Sequence, residues 1–212
     1  MSERFAPKEY AVSLEEGEVC WQAPSNIALI KYWGKKEVQI PRNPSLSFTL
    51  SACATRTSVR FSERKDHDSD YSIDFYFEGE RKEDFLPKIN TFFKRAEPYL
   101  SFLRSYHFVI RSENTFPHSS GIASSASSMA ALALCLLDIE RQLLKLSEKE
   151  LDLNKASFIA RLGSGSASRS VHGKIVEWGL HKDTPGSSDL FGIPWENDVH
   201  DIFTSYHDTI LL

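Results

Sequence analysis

Three short stretches of this sequence combine residue types that bind anions. In the first, Phe116-Pro117-His118-Ser119-Ser120-Gly121-Ile122-Ala123-Ser124-Ser125-Ala126, a proline and a glycine lead from a strand pattern into a run of small side chains that opens a helix. Unpaired N–H groups and the positive end of the helix dipole converge at such a start, and phosphate oxygens are their natural guest. Ser124, Ser125 and Ser127 can add hydroxyl donors or a magnesium ligand. On spacing alone the stretch fits equally a Ser/Ala-rich helix packed against a sheet. It carries neither a P-loop lysine nor a G-x-G-x-x-G pattern.

The second stretch runs Ala23-Pro24-Ser25-Asn26-Ile27-Ala28-Leu29-Ile30-Lys31-Tyr32-Trp33-Gly34-Lys35. It sets two ammonium groups and a phenol at the end of an apolar strand, beside a glycine, where they can meet an anion. A solvated lysine pair and a packing tryptophan are the bland alternatives. The third, Ala160-Arg161-Leu162-Gly163-Ser164-Gly165-Ser166-Ala167-Ser168-Arg169-Ser170, lets the backbone approach a ligand and offers the Ser164 and Ser166 hydroxyls. Arg169 adds a fork suited to a carboxylate or phosphate. Its ordinary counterpart is a flexible helix connection capped by Ser164.

Taken together and in this order, the three stretches resemble the diphosphomevalonate decarboxylases of the GHMP kinase superfamily. The proline, glycine, paired serines and alanine of the first resemble the superfamily's phosphate loop, whereas Lys-Tyr-Trp-Gly-Lys and the third stretch are similar to the decarboxylases alone. Asn43 with Ser45-Leu46-Ser47, and Ser112-Glu113-Asn114, belong to the same likeness. It implies ATP-dependent decarboxylation of (R)-5-diphosphomevalonate to isopentenyl diphosphate, with ATP and magnesium (Mg2+) as cofactors. It further implies that Tyr32, Trp33, Gly34, Lys35, Ser164, Gly165, Ser166, Ala167 and Ser168 hold the diphosphate, with Lys88 a weaker candidate. By the same resemblance Arg169 grips the carboxylate, Asn26 orients Arg169, and Lys31 lies near the reacting hydroxyl. Ser112, Asn114, Gly121, Ile122, Ala123, Ser124 and Ser125 would carry ATP, with Ser125 on the metal. His118, Ser119 and Ser120 depart from the usual pattern, as does Pro44.

The elements that must position these residues are read from periodicity. Glu18 to Lys31 reads as a strand pair or one bent strand; Leu46 to Leu50, Thr55 to Glu63 and Tyr71 to Glu78 as further strands, with a turn at Glu78-Gly79-Glu80. Apolar residues from Phe85 to Leu100 recur every three or four positions, predicting an amphipathic helix over 83–103. A short strand at Tyr106 to Ile110, a loop to Gly121 and a long helix from Ile122 to about Leu146 follow. Ser147 and Glu150 have capping-box spacing and announce another helix. Lys174 to Trp178 reads as a strand, Pro185 to Asn197 as loop, and His207 to Leu212 as an apolar strand. The order predicts an α+β class, matching the resemblance, which implies the two-layer GHMP kinase N-terminal domain, like domain 2 of ribosomal protein S5. Residues 1–17 are expected to form an arm and 18–212 one ATP- and substrate-binding domain.

The 212 residues are 41% hydrophobic and 12% aromatic, and carry 25 Lys plus Arg against 29 Asp plus Glu, a net charge of −4. That balance gives no general pull toward nucleic acid or an anionic membrane. The longest apolar run, Met129 to Leu137, is too short to span a bilayer, so a cytoplasmic location is expected. Cys20, Cys53 and Cys135 are widely spaced and read as reduced packing residues. The strand pattern at the C-terminus suggests a piece of a longer protein. The resemblance then implies that the C-terminal domain, with its catalytic aspartate, lies beyond Leu212 and that residues 1–212 alone release no carbon dioxide. A related enzyme acting on mevalonate or phosphomevalonate, a non-catalytic binding module, and a possible homodimer are the other expectations carried forward.

Overall fold

The alternation of apolar and polar residues from Ser45 onward is realised as a single 19-residue strand, the spine of the computed structural model. Residues 3–65, 69–117, 121–196, 198–203 and 205–209 are described. This strand, β2 (Ser45–Glu63), pairs antiparallel with β1 (Glu16–Ile30) over most of its length. Its opposite edge is shared by β6 (Ile175–Trp178) at the N-terminal end and β5 (Tyr106–Asn114) at the other. Outside β5 lie β3 (Ser72–Phe77), parallel to it, and β4 (Glu80–Arg81), joined to β3 by a hairpin with Glu78 and Gly79 at positive φ. Outside β6 lies β7 (Gly192–Pro194).

One face of the sheet is apolar: Val59, Phe61, Phe108 and Ile110 are all but fully buried. The other presents Arg56, Arg60 and Glu113 to solvent, with exposed ion pairs of 3.8 Å (Arg56–Glu113) and 3.5 Å (Arg60–Glu16). Alternation with one buried face calls for a single covering layer. That layer is α2 (Ser124–Leu143) against β1 and β2, α3 (Leu153–Gly163) against α2, and α1 (Leu86–Ala96) against α3. The expected two-layer α+β arrangement is therefore present.

Several boundaries differ from the sequence expectation, each for a local reason. β1 is one bent strand, with register shifts between Pro24 and Asn26 and between Ala28 and Ile30. Leu46 to Leu50 and Thr55 to Glu63 are not separate strands, because pairing with β1 resumes on both sides of Ser51 to Cys53. The helix foreseen over 83–103 stops at Ala96, ahead of Pro98, which cannot donate to the helix ladder. The strand at Tyr106 extends to Asn114, and β7 occupies part of the expected loop after Pro185. The Ser147–Glu150 box is formed but closes a 3-10 turn, Glu148–Glu150. The cap of α3 is Asp152, whose carboxylate accepts from the Lys155 N–H at 2.9 Å. Cys20, expected as a packing residue, is exposed because it points outward from β1, and its sulfur accepts from Arg56 Nε at 3.3 Å. Residues 207–209 form no strand, and 210–212 lie outside the described residues.

The N-terminal arm is packed, not loose. Phe5 is buried, 4.7 Å centroid to centroid from Phe158 of α3 and 5.8 Å from Phe191 beside β7, while the Ala11 and Val12 N–H groups donate to the Leu143 carbonyl at the end of α2. Phe5→Ala is expected to lower unfolding stability by about 3–5 kcal/mol in urea titration, since it empties a packed aromatic site; a change under 1 kcal/mol would show that the arm contributes nothing to the core.

Candidate functional site

α3 ends at Gly163, where a Cβ would come within 2.5 Å of Met129 Sδ, and the chain turns through an extended Ser164 into a 3-10 segment, Gly165–Ser170. Ser168 Oγ closes that segment on the Gly165 carbonyl at 2.8 Å. Ser157 of α3 holds it from outside, donating to the Ser168 carbonyl at 2.7 Å and accepting from the Gly192 N–H at 2.8 Å. The last turn of the segment delivers Arg169 into the interior, only 3% exposed.

Arg169 is surrounded by neutral partners. Its Nη1 donates to Ser45 Oγ at 2.5 Å, and Nε and Nη2 share Asn26 Oδ1 at 3.4 and 3.3 Å. Asn26 is fixed in turn by donating to Ser170 Oγ at 2.7 Å and the Ser166 carbonyl at 3.1 Å. Tyr32 and Trp178 present their rings to the guanidinium at 5.7 and 5.9 Å. No carboxylate pairs with Arg169 among the described residues. Burial pulls its pKa down to about 10, against the opposing effect of Tyr32, so it is charged at neutral pH. A charge buried this way is costly until an anion joins it.

The loop after β1 approaches the same point. Tyr32 meets Trp178 edge-on at 5.0 Å, and Lys35 Nζ lies 5.8 Å from the Tyr32 ring centre. Asn43 shapes the loop, accepting from the Trp33 N–H at 2.7 Å and donating to the Lys31 and Pro44 carbonyls. Gly34 has φ of 85°, open to glycine without strain. At Gly165 a Cβ would stand 2.9 Å from Trp178, 3.3 Å from Gln39 Oε1 and 3.4 Å from Lys35 Cε. Only glycine fits beside the Trp178 ring there, while Lys35 Cε lies at ordinary contact distance. Lys31 is exposed and Trp33 is 77% exposed, so these two stand on the rim.

The start of α2 completes the arrangement. Its N-cap, Ala123, is left-handed (φ 47°) with no side-chain cap, and Gly121 has φ of 80° with open space where a Cβ would be. The buried Ile122 is tied down by Ser25 Oγ, which donates to its carbonyl. Ser125 Oγ lies 3.5 Å from Ser164 Oγ, itself 3.5 Å from Ser166 Oγ, joining the first stretch to the third. Ser112, Ser124 and Ser125 line one cleft with Thr57, Phe75 and Phe77. Lys88 lines it too. Asn114 reaches α2 through Thr55 and Ser127, and its buried Nδ2 has no partner among the described residues. His118, Ser119 and Ser120 lie outside the described residues.

No group of three His, Cys, Asp or Glu side chains among the described residues is disposed to hold a metal. The uncapped helix start and the lightly bonded Ser125 hydroxyl suit a nucleotide phosphate that brings a hard cation with it, since magnesium commonly keeps phosphate and hydroxyl oxygens as ligands. No helix among the described residues is long and apolar enough to cross a membrane. Ser45, Ser157 and Trp178 do as much for the site as the residues expected from sequence. Ser45 belongs to the family likeness, but nothing local marks Ser157 or Trp178, because their partners are distant along the chain.

Comparison with known proteins agrees with this geometry. The pattern described as diphosphomevalonate decarboxylase-like N-terminal domain matches residues 23–190. Diphosphomevalonate decarboxylase of Debaryomyces hansenii is 38% identical over 179 residues, 77% of this chain and 43% of the relative. The crystal structure of mevalonate diphosphate decarboxylase from Staphylococcus aureus aligns with a TM-score of 0.68 at 35% identity, covering 85% of this chain and 50% of that one. A structure of the Enterococcus faecalis decarboxylase, described by its mevalonate diphosphate mediated ATP binding mechanism, gives 0.63 at 34% identity over 84% of this chain and 51% of that one. The chain spans about half the length of the relatives it matches. With the pattern matched from the second half of β1 through β2, all three helices and the Arg169 turn, the chain belongs to the diphosphomevalonate decarboxylase-like N-terminal domain family.

Proposed function

We propose that this chain binds (R)-5-diphosphomevalonate and magnesium-ATP side by side and supplies the N-terminal half of a site that decarboxylates the substrate to isopentenyl diphosphate, with ADP, phosphate and carbon dioxide as the other products. The observation that carries the proposal is Arg169, a buried cation with neutral partners and an unmet demand for a carboxylate. Its planar fork would fix the substrate carboxylate in one orientation, so that the bond to be broken is aligned before phosphate leaves. Lys35 and the Gly165–Ser168 backbone would take the diphosphate, within reach of Tyr32. ATP phosphates would lie at the start of α2, with Ser125 sharing the magnesium ion. That cation neutralises charge on the transferring phosphoryl group when bound. Lys31, on the rim, would stabilise charge developing at the tertiary hydroxyl.

The Ser125–Ser164 contact supports this pairing, because it sets the two anion sites next to each other. Solved relatives fit as well, one being described as a complex with MVAPP, AMPPCP and magnesium. Among the described residues no carboxylate pairs with Arg169 or Lys35.

Calorimetric titration of the purified chain tests the proposal. Arg169→Gln, which keeps hydrogen-bonding capacity but removes the charge, is expected to weaken mevalonate diphosphate by at least about tenfold, or 1.4 kcal/mol; equal affinity would dismiss Arg169 as the carboxylate's partner. Chelating magnesium is expected to weaken ATP binding by about tenfold or more while sparing mevalonate diphosphate. Parallel losses for both ligands would mean that Ser125 and Arg169 do not serve separate anions.

A further inference from the structure

Arg161 sits in the last turn of α3, 2% exposed, and the reaction proposed above gives it no task. Its Nε donates to the Leu190 carbonyl at 2.7 Å and its Nη1 to the Val38 carbonyl at 2.6 Å, and it forms no ion pair among the described residues. The Phe158 ring covers it at 5.1 Å. A second buried guanidinium is thus spent on two backbone carbonyls, far apart in sequence.

The Val38 carbonyl belongs to the loop that carries Lys35. That loop closes on itself through Lys36 N–H to the Ile40 carbonyl (2.7 Å), Ile40 N–H to the Glu37 carbonyl (2.8 Å) and the Arg42 N–H to the Gly34 carbonyl (3.3 Å). Among the described residues, the Arg161 bond is the one hydrogen bond that reaches residues 34–42 from elsewhere. Next to Val38, Gln39 holds φ of 64°, a conformation a non-glycine residue keeps only when its surroundings impose it. Its Oε1 is buried without a hydrogen-bond partner among the described residues and packs over Gly165 together with the Lys35 stem. Release of Val38 would free Gln39 to relax and carry Lys35 away from Gly165.

We infer that Arg161 is a positioning residue, clamping the 34–42 loop so that Lys35 stands over the Gly165 backbone where the diphosphate is to bind. This rests on the reading of the site given above and adds to it a residue that touches no ligand. Arg161→Lys keeps the charge and most of the stem but not the fork that spans two carbonyls. In titrations of the chain with mevalonate diphosphate, Arg161→Lys is expected to weaken binding at least tenfold and to leave magnesium-ATP within about twofold. The loss should vanish when Lys35 is already alanine, because Arg161 acts through Lys35. Unchanged mevalonate diphosphate binding, equal loss of both ligands, or a full additional loss in the Lys35→Ala background would each overturn the inference. If Arg161→Lys fails to fold, amide exchange in the unmutated chain decides. Protection of the Lys36 and Ile40 amides comparable to α3 supports the clamp, and exchange at open-loop rates overturns it. If the unmutated chain binds no mevalonate diphosphate, the reading of the site falls and this inference with it; binding by the unmutated chain with no effect of Arg161→Lys removes the inference alone.

Discussion

A positive charge held inside a protein by neutral groups is an unfinished interaction. Arg169 is in that position, since Asn26, Ser45 and two aromatic rings soften the cost of its burial without cancelling it. Folding must carry this cost, and the packing around Arg169 shows how. Ser157 fixes the carbonyl just before it, Trp178 walls it, and Gly192 is compressed against the same carbonyl, where a Cβ would come within 2.7 Å. The rigidity belongs to the fold, and the readiness for an anion belongs to the side chain.

The two-layer architecture brings the parts together at one end of β2. There β1 bends through two register shifts and β6 pairs on the opposite side, so Asn26, Ser45 and Trp178 arrive as neighbours from three strands. The helical layer contributes the 3-10 segment from the end of α3 and the open start of α2, linked by Ser164 and Ser125. Each contributor ends there, and chain ends of elements are where backbone groups remain free for a ligand. The same constraint explains Gly165, which must be small because the Trp178 ring packs onto it.

How much of this was legible in the sequence depended on range. The glycine- and serine-rich stretches stood out, but their residues fitted packing and connection equally, and it was their joint likeness to one family that put them in one site. Lys35, Ser125 and Arg169 lie on segments that meet around Gly165 and Ser164. The α+β class also followed from periodicity. The single long β2 was not legible, because Ser51 to Cys53 breaks the apolar alternation and β1 pairs only on either side of residues 50–53. Arg161 stands in the third stretch with no role of its own until its partners at Val38 and Leu190 are known, and Cys20 reads as packing until its outward position on β1 is known. Lys88, the weaker diphosphate candidate, lines the cleft with Ser112 and Ser124.

The most direct test of the central claim is a crystal structure of this chain with mevalonate diphosphate bound. The substrate carboxylate should lie on the Arg169 guanidinium, with its diphosphate between Lys35 and the Gly165–Ser168 backbone. A substrate bound elsewhere, or bound with Arg169 still facing only Asn26 and Ser45, would contradict it.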